Sequence, residues 1–213
     1  MPNQYVKTTT NNDIFNKIDS EEKAYWLGFL YADGTIRSKE GDNQIELSLQ
    51  ERDYQQIANF RNFIGNDNKI AYREKQKAYR YCFRSAQIKK DLINLGCVPN
   101  KSLILTFPTE EQVPNKFLND FIRGYFDGDG WLGKDKYKYS IEILGTEYFL
   151  SGLQKRYPLF YGRKLYINNQ KGNPVIKRLC CSKKSETRQF LQDIYGHANV
   201  YLDRKYKRYL ATL

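Results

Sequence analysis

Residues 24–34, AYWLGFLYADG, are apolar on nearly every side until Asp33-Gly34. A helix without a polar face must be buried all round. Ahead of it, Asp19-Ser20-Glu21-Glu22 reads as a helix start, with Asp19 able to cap and Glu22 three residues on to answer it. Gly34 reads as a left-handed C-terminal stop. Residues 35–39 and 44–50 then read as strands, and in the second Ile45, Leu47 and Leu49 alternate with Gln44, Glu46, Ser48 and Gln50. Residues 52–64 carry Ile57, Phe60, Phe63 and Ile64 at helical spacing. Strands near 69–74 and 79–85 and a helix near 86–95 follow. The order is helix, two strands, helix, two strands, helix.

A Pro-bracketed linker, TFPTEEQVP at 106–114, precedes a second round of the same plan. NKFLNDFIRGYFDGDG is another apolar helix that ends in Asp-Gly. Strands near 131–134 and 139–144, a helix near 147–156, strands near 164–168 and 175–182 and a helix near 186–194 complete it. A basic segment, YLDRKYKRYL, closes the chain. Gly28 matches Gly124 and Asp33 matches Asp129, each 96 positions on. The pattern predicts an α+β fold: a duplicated αββαββα repeat with pseudo-twofold symmetry in one chain. Its divisions are a polar tail at 1–18, a first half at 19–105, the linker, and a second half at 115–213.

Within the two apolar helices the small residues stand four apart, Gly28 with Ala32 and Gly124 with Gly128. Residues four apart share a helix face, so each helix offers a strip nearly bare of side chains. Two such strips let backbones approach closely, so the helices are expected to pack on each other at the centre. Their C-terminal ends then bring Asp33 and Asp129 together. Two carboxylates at the negative ends of two helix dipoles repel each other. A divalent cation turns that arrangement into a binding site, and Mg²⁺ prefers few protein carboxylates with water and phosphate oxygens completing its shell. Such a site suits metal-assisted phosphodiester hydrolysis. Mn²⁺ or Ca²⁺ fits the same two ligands.

Composition narrows the class of substrate. Lys and Arg outnumber Asp and Glu by 35 to 24, an excess of +11 that favours polyanions through counterion release. The 18 tyrosines suit strands and wet interfaces. Cys82, Cys97, Cys180 and Cys181 form no CxxC pair and His197 is the single histidine, which argues against a Cys/His zinc site or a histidine-metal nuclease. The N-terminus has no apolar signal core, and no run approaches about 18 apolar residues. A soluble intracellular protein is expected, in a bacterial or phage-host cytoplasm or in an organelle.

WLGFLYADG and IRGYFDGDG resemble the two copies of the motif that names the LAGLIDADG homing endonucleases. The resemblance runs from about Ser20 to Leu213. It implies two antiparallel sheets forming a saddle over DNA around the two central helices, divalent-metal catalysis, cleavage across the minor groove that leaves short 3′ overhangs, and encoding within an intron. The acid before the final glycine of each motif is the family's metal ligand, here Asp33 and Asp129. Tyr31 stands where the first motif often has another acid, which Asp127 keeps in the second, and Arg123 replaces a small residue. Polar and basic groups near the metals are implied at Gln50, whose counterpart is expected at Gly145, and at Lys101 and Lys205 after each half's last helix.

A two-stranded ribbon fits the major groove. Strands of about ten residues cover about ten base pairs, so two halves reach roughly twenty. The groove-facing candidates are Arg37, Lys39, Gln44, Glu46, Ser48, Arg73, Arg80 and Arg84 in the first half. In the second they are Lys138, Ser140, Glu142, Tyr166, Asn168 and Arg178. The leading expectation is a monomeric, Mg²⁺-dependent, sequence-specific endonuclease acting on double-stranded DNA, with no membrane association. The rival is a non-cutting nucleic-acid binder of the same fold, such as an intron-splicing maturase or a transcription factor. A basic structural protein without a site must treat the repeated motif as coincidence. A protein-splicing element is not expected, since the chain lacks a nucleophile at its start and an Asn at its end.

Overall fold

The first apolar helix, α1, spans Glu21–Asp33 and is capped by Ser20, whose hydroxyl accepts the Lys23 amide at 3.3 Å. Asp19, expected in that role, instead pairs with the Lys23 ammonium at 3.0 Å, one turn of helix away. The computed structural model describes residues 10–135, 138–167 and 175–213, and only the backbone of 134, 135 and 138. After α1 come β1 (Gly34–Ile36), β2 (Gln44–Gln50), α2 (Tyr54–Ile64), β3 (Ala71–Arg73), β4 (Ala78–Arg84) and α3 (Ala86–Asn94). The second round is α4 (Leu118–Asp129), β5 (Gly130–Asp135), β6 (Lys138–Thr146), α5 (Glu147–Arg156), β7 (Leu165–Ile167), β8 (Ile176–Cys181) and α6 (Lys184–Tyr195). A further helix, α7 (Asp203–Leu210), is formed by the basic C-terminal segment.

Each half folds its strands into a four-stranded antiparallel sheet, in the orders β1-β2-β4-β3 and β5-β6-β8-β7. The alternation seen in the sequence sets the facing. Ile45 and Leu47 of β2 and Ile141 and Ile143 of β6 are buried under the helices, and the residues between them lie on the other side. α2 closes on Gly65 in the left-handed conformation, φ 69°, where its amide caps two carbonyls of the last turn. Its Phe60 meets Trp26 of α1 at 5.1 Å between ring centroids.

At the centre α1 and α4 touch backbone to backbone. A methyl on Gly28 would lie 2.1 Å from the Phe121 carbonyl oxygen, and one on Gly124 would lie 1.9 Å from that of Tyr25. A methyl on Gly128 would meet that of Ala32 at 2.3 Å. All four predicted small residues therefore stand in the helix–helix contact.

Two stretches read as loose are tied down. Ile14, Phe15 and Ile18, in the stretch read as a polar tail, are buried in the core, because their apolar area outweighs the polar residues between them. In the linker, Phe107 and Val113 are buried. The Arg156 guanidinium donates to the carbonyls of Pro108, Thr109 and Val113 at 2.8–3.0 Å and so clasps the linker against α5. Among the described residues no helix is long and apolar enough to cross a membrane.

Candidate active site

Asp33 and Asp129 are the last residues of α1 and α4, and both line one cavity of about 470 Å³ with Lys101, Ser102, Tyr125 and Thr146. The glycine after each carboxylate is not the left-handed stop expected from sequence. Gly34 (φ −71°, ψ 146°) and Gly130 (φ −85°, ψ 152°) are extended and lead straight into β1 and β5. Glycine is needed there for space, since a methyl on Gly34 would fall 2.6 Å from the Leu30 carbonyl oxygen. Each motif is thus a helix-to-strand corner with its carboxylate at the bend.

The Asp33 carboxyl is pushed up to about 7, first by burial and then by the charge of Asp129, with Lys205 and Lys101 pulling the other way. Among the described residues no hydrogen-bond donor or salt-bridge partner meets it. Asp53 adds further negative potential. Its own carboxylate is held by Arg204 Nε at 2.9 and 3.2 Å, a pair that joins the two halves. No group of three or more carboxylate, thiol or imidazole ligands occurs among the described residues.

The two lysines occupy equivalent places with different exposure. Lys101, in a 3-10 turn at Lys101–Leu103, donates to the Gly34 carbonyl and faces the cavity. Lys205, on α7, is 2% exposed and donates to the carbonyls of Phe126, Asp127 and Gly130. Each ammonium satisfies orphan carbonyls at a helix C-terminus. Burial lowers Lys205 to about 8, against the pull of Asp127, Asp33 and Asp129. Gln50 ends β2 exposed and is not among the residues lining the cavity. Its counterpart is Thr146, not Gly145. Leu47 pairs with Gly34 as Ile143 pairs with Gly130, so three residues on, Gln50 matches Thr146. The Thr146 hydroxyl is spent on the Leu105 carbonyl and on capping α5.

Tyr31 and Asp127, the unequal pair of the two motifs, are both buried. Tyr31 donates to the Leu95 carbonyl. Asp127 accepts from Tyr25 Oη at 2.8 Å, from Tyr195 Oη and from the Leu202 amide at 2.7 Å, and burial raises its carboxyl. It therefore anchors the start of α7, and with it Lys205, beneath α4. Arg123, in sequence only a departure from the motif, has a structural task. It is 2% exposed and donates to Glu21 at 2.8 Å, Asp120 at 2.9 Å and the carbonyls of Ile194 and Val200 at 2.8 Å. A lone arginine inside an apolar helix was the available signal, because such a charge must find carbonyls or carboxylates.

Gln44, Glu46, Ser48, Arg80, Arg84, Ser140, Glu142, Tyr166 and Arg178 fall on the sheet faces turned away from the helices, whereas Arg37 and Lys39 lie in the loop after β1. Arg80 and Arg84 of β4 lie opposite Ser48 and Gln44 of β2, and Tyr166 of β7 lies opposite Arg178 of β8. Glu46 is paired with Arg80, and Glu142 with Arg178 at 3.4 Å. Gln44 is only 8% exposed, covered by its bonds to Arg84 and Glu46. Arg37, Lys39 and Arg73 are exposed, Ser48 donates to the Tyr79 carbonyl, and Ser140 is half-buried. Lys138 contributes its backbone to β6, and Asn168 lies outside the described residues.

No family model matches the sequence, and no curated protein does. Solved structures do. The I-LtrWI LAGLIDADG homing endonuclease bound to target DNA superposes with a TM-score of 0.58 at 10% identity, covering 95% of this chain and 89% of that one. The meganuclease I-SmaMI bound to uncleavable DNA gives 0.61 at 10% identity over 91% and 90%. The LAGLIDADG homing endonuclease I-GzeII in complex with its DNA target gives 0.58 at 13% identity over 89% and 88%. Across both halves, this chain has the fold of the LAGLIDADG homing endonucleases.

Proposed function

We propose that this chain is a sequence-specific DNA endonuclease that cuts both strands of a long duplex target with divalent cations held at Asp33 and Asp129. The observation that carries the reading is the carboxylate pair at the helix ends, half-buried Asp33 and exposed Asp129, with the Asp33 carboxyl pushed up to about 7 and met by no donor among the described residues. The nearby ammonium groups are spent on carbonyls rather than on the Asp33 carboxylate, so a positive charge from outside the chain fits the gap. Two carboxylates suit Mg²⁺, which completes its shell with water and phosphate oxygens. When bound there, such an ion activates water and stabilises the leaving oxygen. A crystal of I-SmaMI with its uncleaved DNA target was obtained in the presence of calcium ions, which supports a divalent cation here.

Within this scheme Lys101, at the cavity wall, neutralises charge on the phosphate. Lys205 is a positioning residue that holds the end of α4 and the backbone beside Asp129. The basic sheet faces supply phosphate contacts and base readout, and the single chain with its two halves acts as a monomer. Full-length protein incubated with a randomised duplex library and Mg²⁺ tests the reading. One family of cut sites is expected, with none when Mg²⁺ is chelated. Retention of one DNA family without any cutting would instead make the chain a binder of the same fold, such as a maturase or transcription factor.

A further inference from the structure

The two sheet faces differ at most matched positions, yet one arrangement recurs in both. Glu46 of β2 lies opposite Cys82 of β4, and Glu142 of β6 lies opposite Cys180 of β8. Two residues before each cysteine stands an arginine, Arg80 or Arg178, that forms an ion pair with the glutamate. In both arginines the Nε is buried with no hydrogen-bond partner. Around the pair the halves diverge: Gln44 matches Ser140, Ser48 matches Leu144 and Thr35 matches Trp131.

A carboxylate on a face that meets phosphates weakens general affinity, so its recurrence calls for a selective role. A guanidinium steadied by one glutamate keeps its remaining N–H groups in a fixed fork. That fork matches the O6 and N7 acceptors of guanine, and a carboxylate beside it can accept from the N4 amine of the paired cytosine. We propose that Glu46–Arg80 and Glu142–Arg178 each read a G·C pair. The pseudo-twofold axis between α1 and α4 relates the two. The target therefore carries guanines on opposite strands, equally far from its centre, within flanks that need not be symmetric. This inference rests on the DNA-binding reading above.

The test is selection by binding rather than by cutting. Full-length protein retains duplexes from a randomised library in Ca²⁺, and the retained sequences are aligned about their centre. Two symmetry-related guanines are expected. Arg80→Lys should relax one of them and Arg178→Lys the other, by roughly tenfold to a hundredfold in preference. Both lysine variants keep the charge, so the salt slope of binding should stay near that of the wild type. Glu46→Gln should tighten binding to random DNA while flattening the preference at the Arg80 position. Thermal melts of each variant confirm that it is folded. Enrichment of no sequence at all overturns both the DNA reading and this inference. An enriched target without the paired guanines, or with guanines that survive both lysine variants, overturns the base assignment alone.

Discussion

Asp33→Asn should stabilise the metal-free protein while abolishing cleavage. The side chain meets no donor among the described residues, so the substitution breaks no hydrogen bond to them. The folded carboxyl titrates at about 7 against an ordinary value of 3.8, because burial and Asp129 both oppose its charge. The folded chain thus binds the proton more tightly than the unfolded one. Below about pH 4 the group is protonated in both states and costs nothing. As pH rises towards 7 the unfolded state gains by ionising and stability falls, and above about 7 the full penalty of about 4 kcal/mol applies. Urea unfolding of EDTA-treated wild type and Asp33→Asn should therefore coincide at pH 4. At pH 8 the variant should be more stable by roughly 2–4 kcal/mol. Mg²⁺ at about a hundred times its Kd should restore about 2.7 kcal/mol to the wild type and little to the variant. Parallel pH profiles, or a variant less stable than the wild type at pH 8, would refute the argument that the Asp33 carboxylate is held against burial and the charge of Asp129.

Gly124→Ala would place a methyl 1.9 Å from the Tyr25 carbonyl oxygen where ordinary contact begins at 3.4 Å. It should lower stability by about 3 kcal/mol in urea unfolding, and reduce cleavage as Asp33 and Asp129 lose register. Arg123→Leu, which copies Leu27 of the first motif, should cost about 3 kcal/mol by stranding Asp120 and two carbonyls and leaving Glu21 with Asn199 alone. Adding Glu21→Gln should recover part of that loss in a double-mutant cycle. Lys205→Met should lower the melting temperature clearly, since three carbonyls lose their donor, at about 2 kcal/mol. Lys101→Met, on the cavity wall, should cost less stability and still slow cleavage in a plasmid-nicking assay.

The elements themselves were written in local patterns. The alternation along 44–50, the helical spacing along 52–64 and the all-apolar run before Asp33 each depend on a few neighbouring residues, and each formed within a residue or two of its expected place. The duplication was equally legible, since the matched Asp-Gly corners stand 96 positions apart. Local reasoning failed where a contact in the folded chain, rather than the pattern along it, decided a residue's role. Gly34 is a glycine because Leu30 fills the inside of a corner, not because a left-handed residue ends the helix. The alternation along β2 marks Glu46 as groove-facing, but its pairing with Arg80 depends on the register of β2 on β4.

By itself the sequence determined two apolar helices with bare strips, the alternating strands around them, and an acid at each helix end. Periodicity and steric size express those things residue by residue. Tertiary structure alone decided which charges those acids feel, and that Lys205 would be buried on carbonyls while Lys101 stays at the cavity. It alone decided that Arg123 and Asp127 would fasten the C-terminal segment under α4. Burial and electrostatic potential at a point sum over every element packed there, and no stretch of chain contains that sum before it folds.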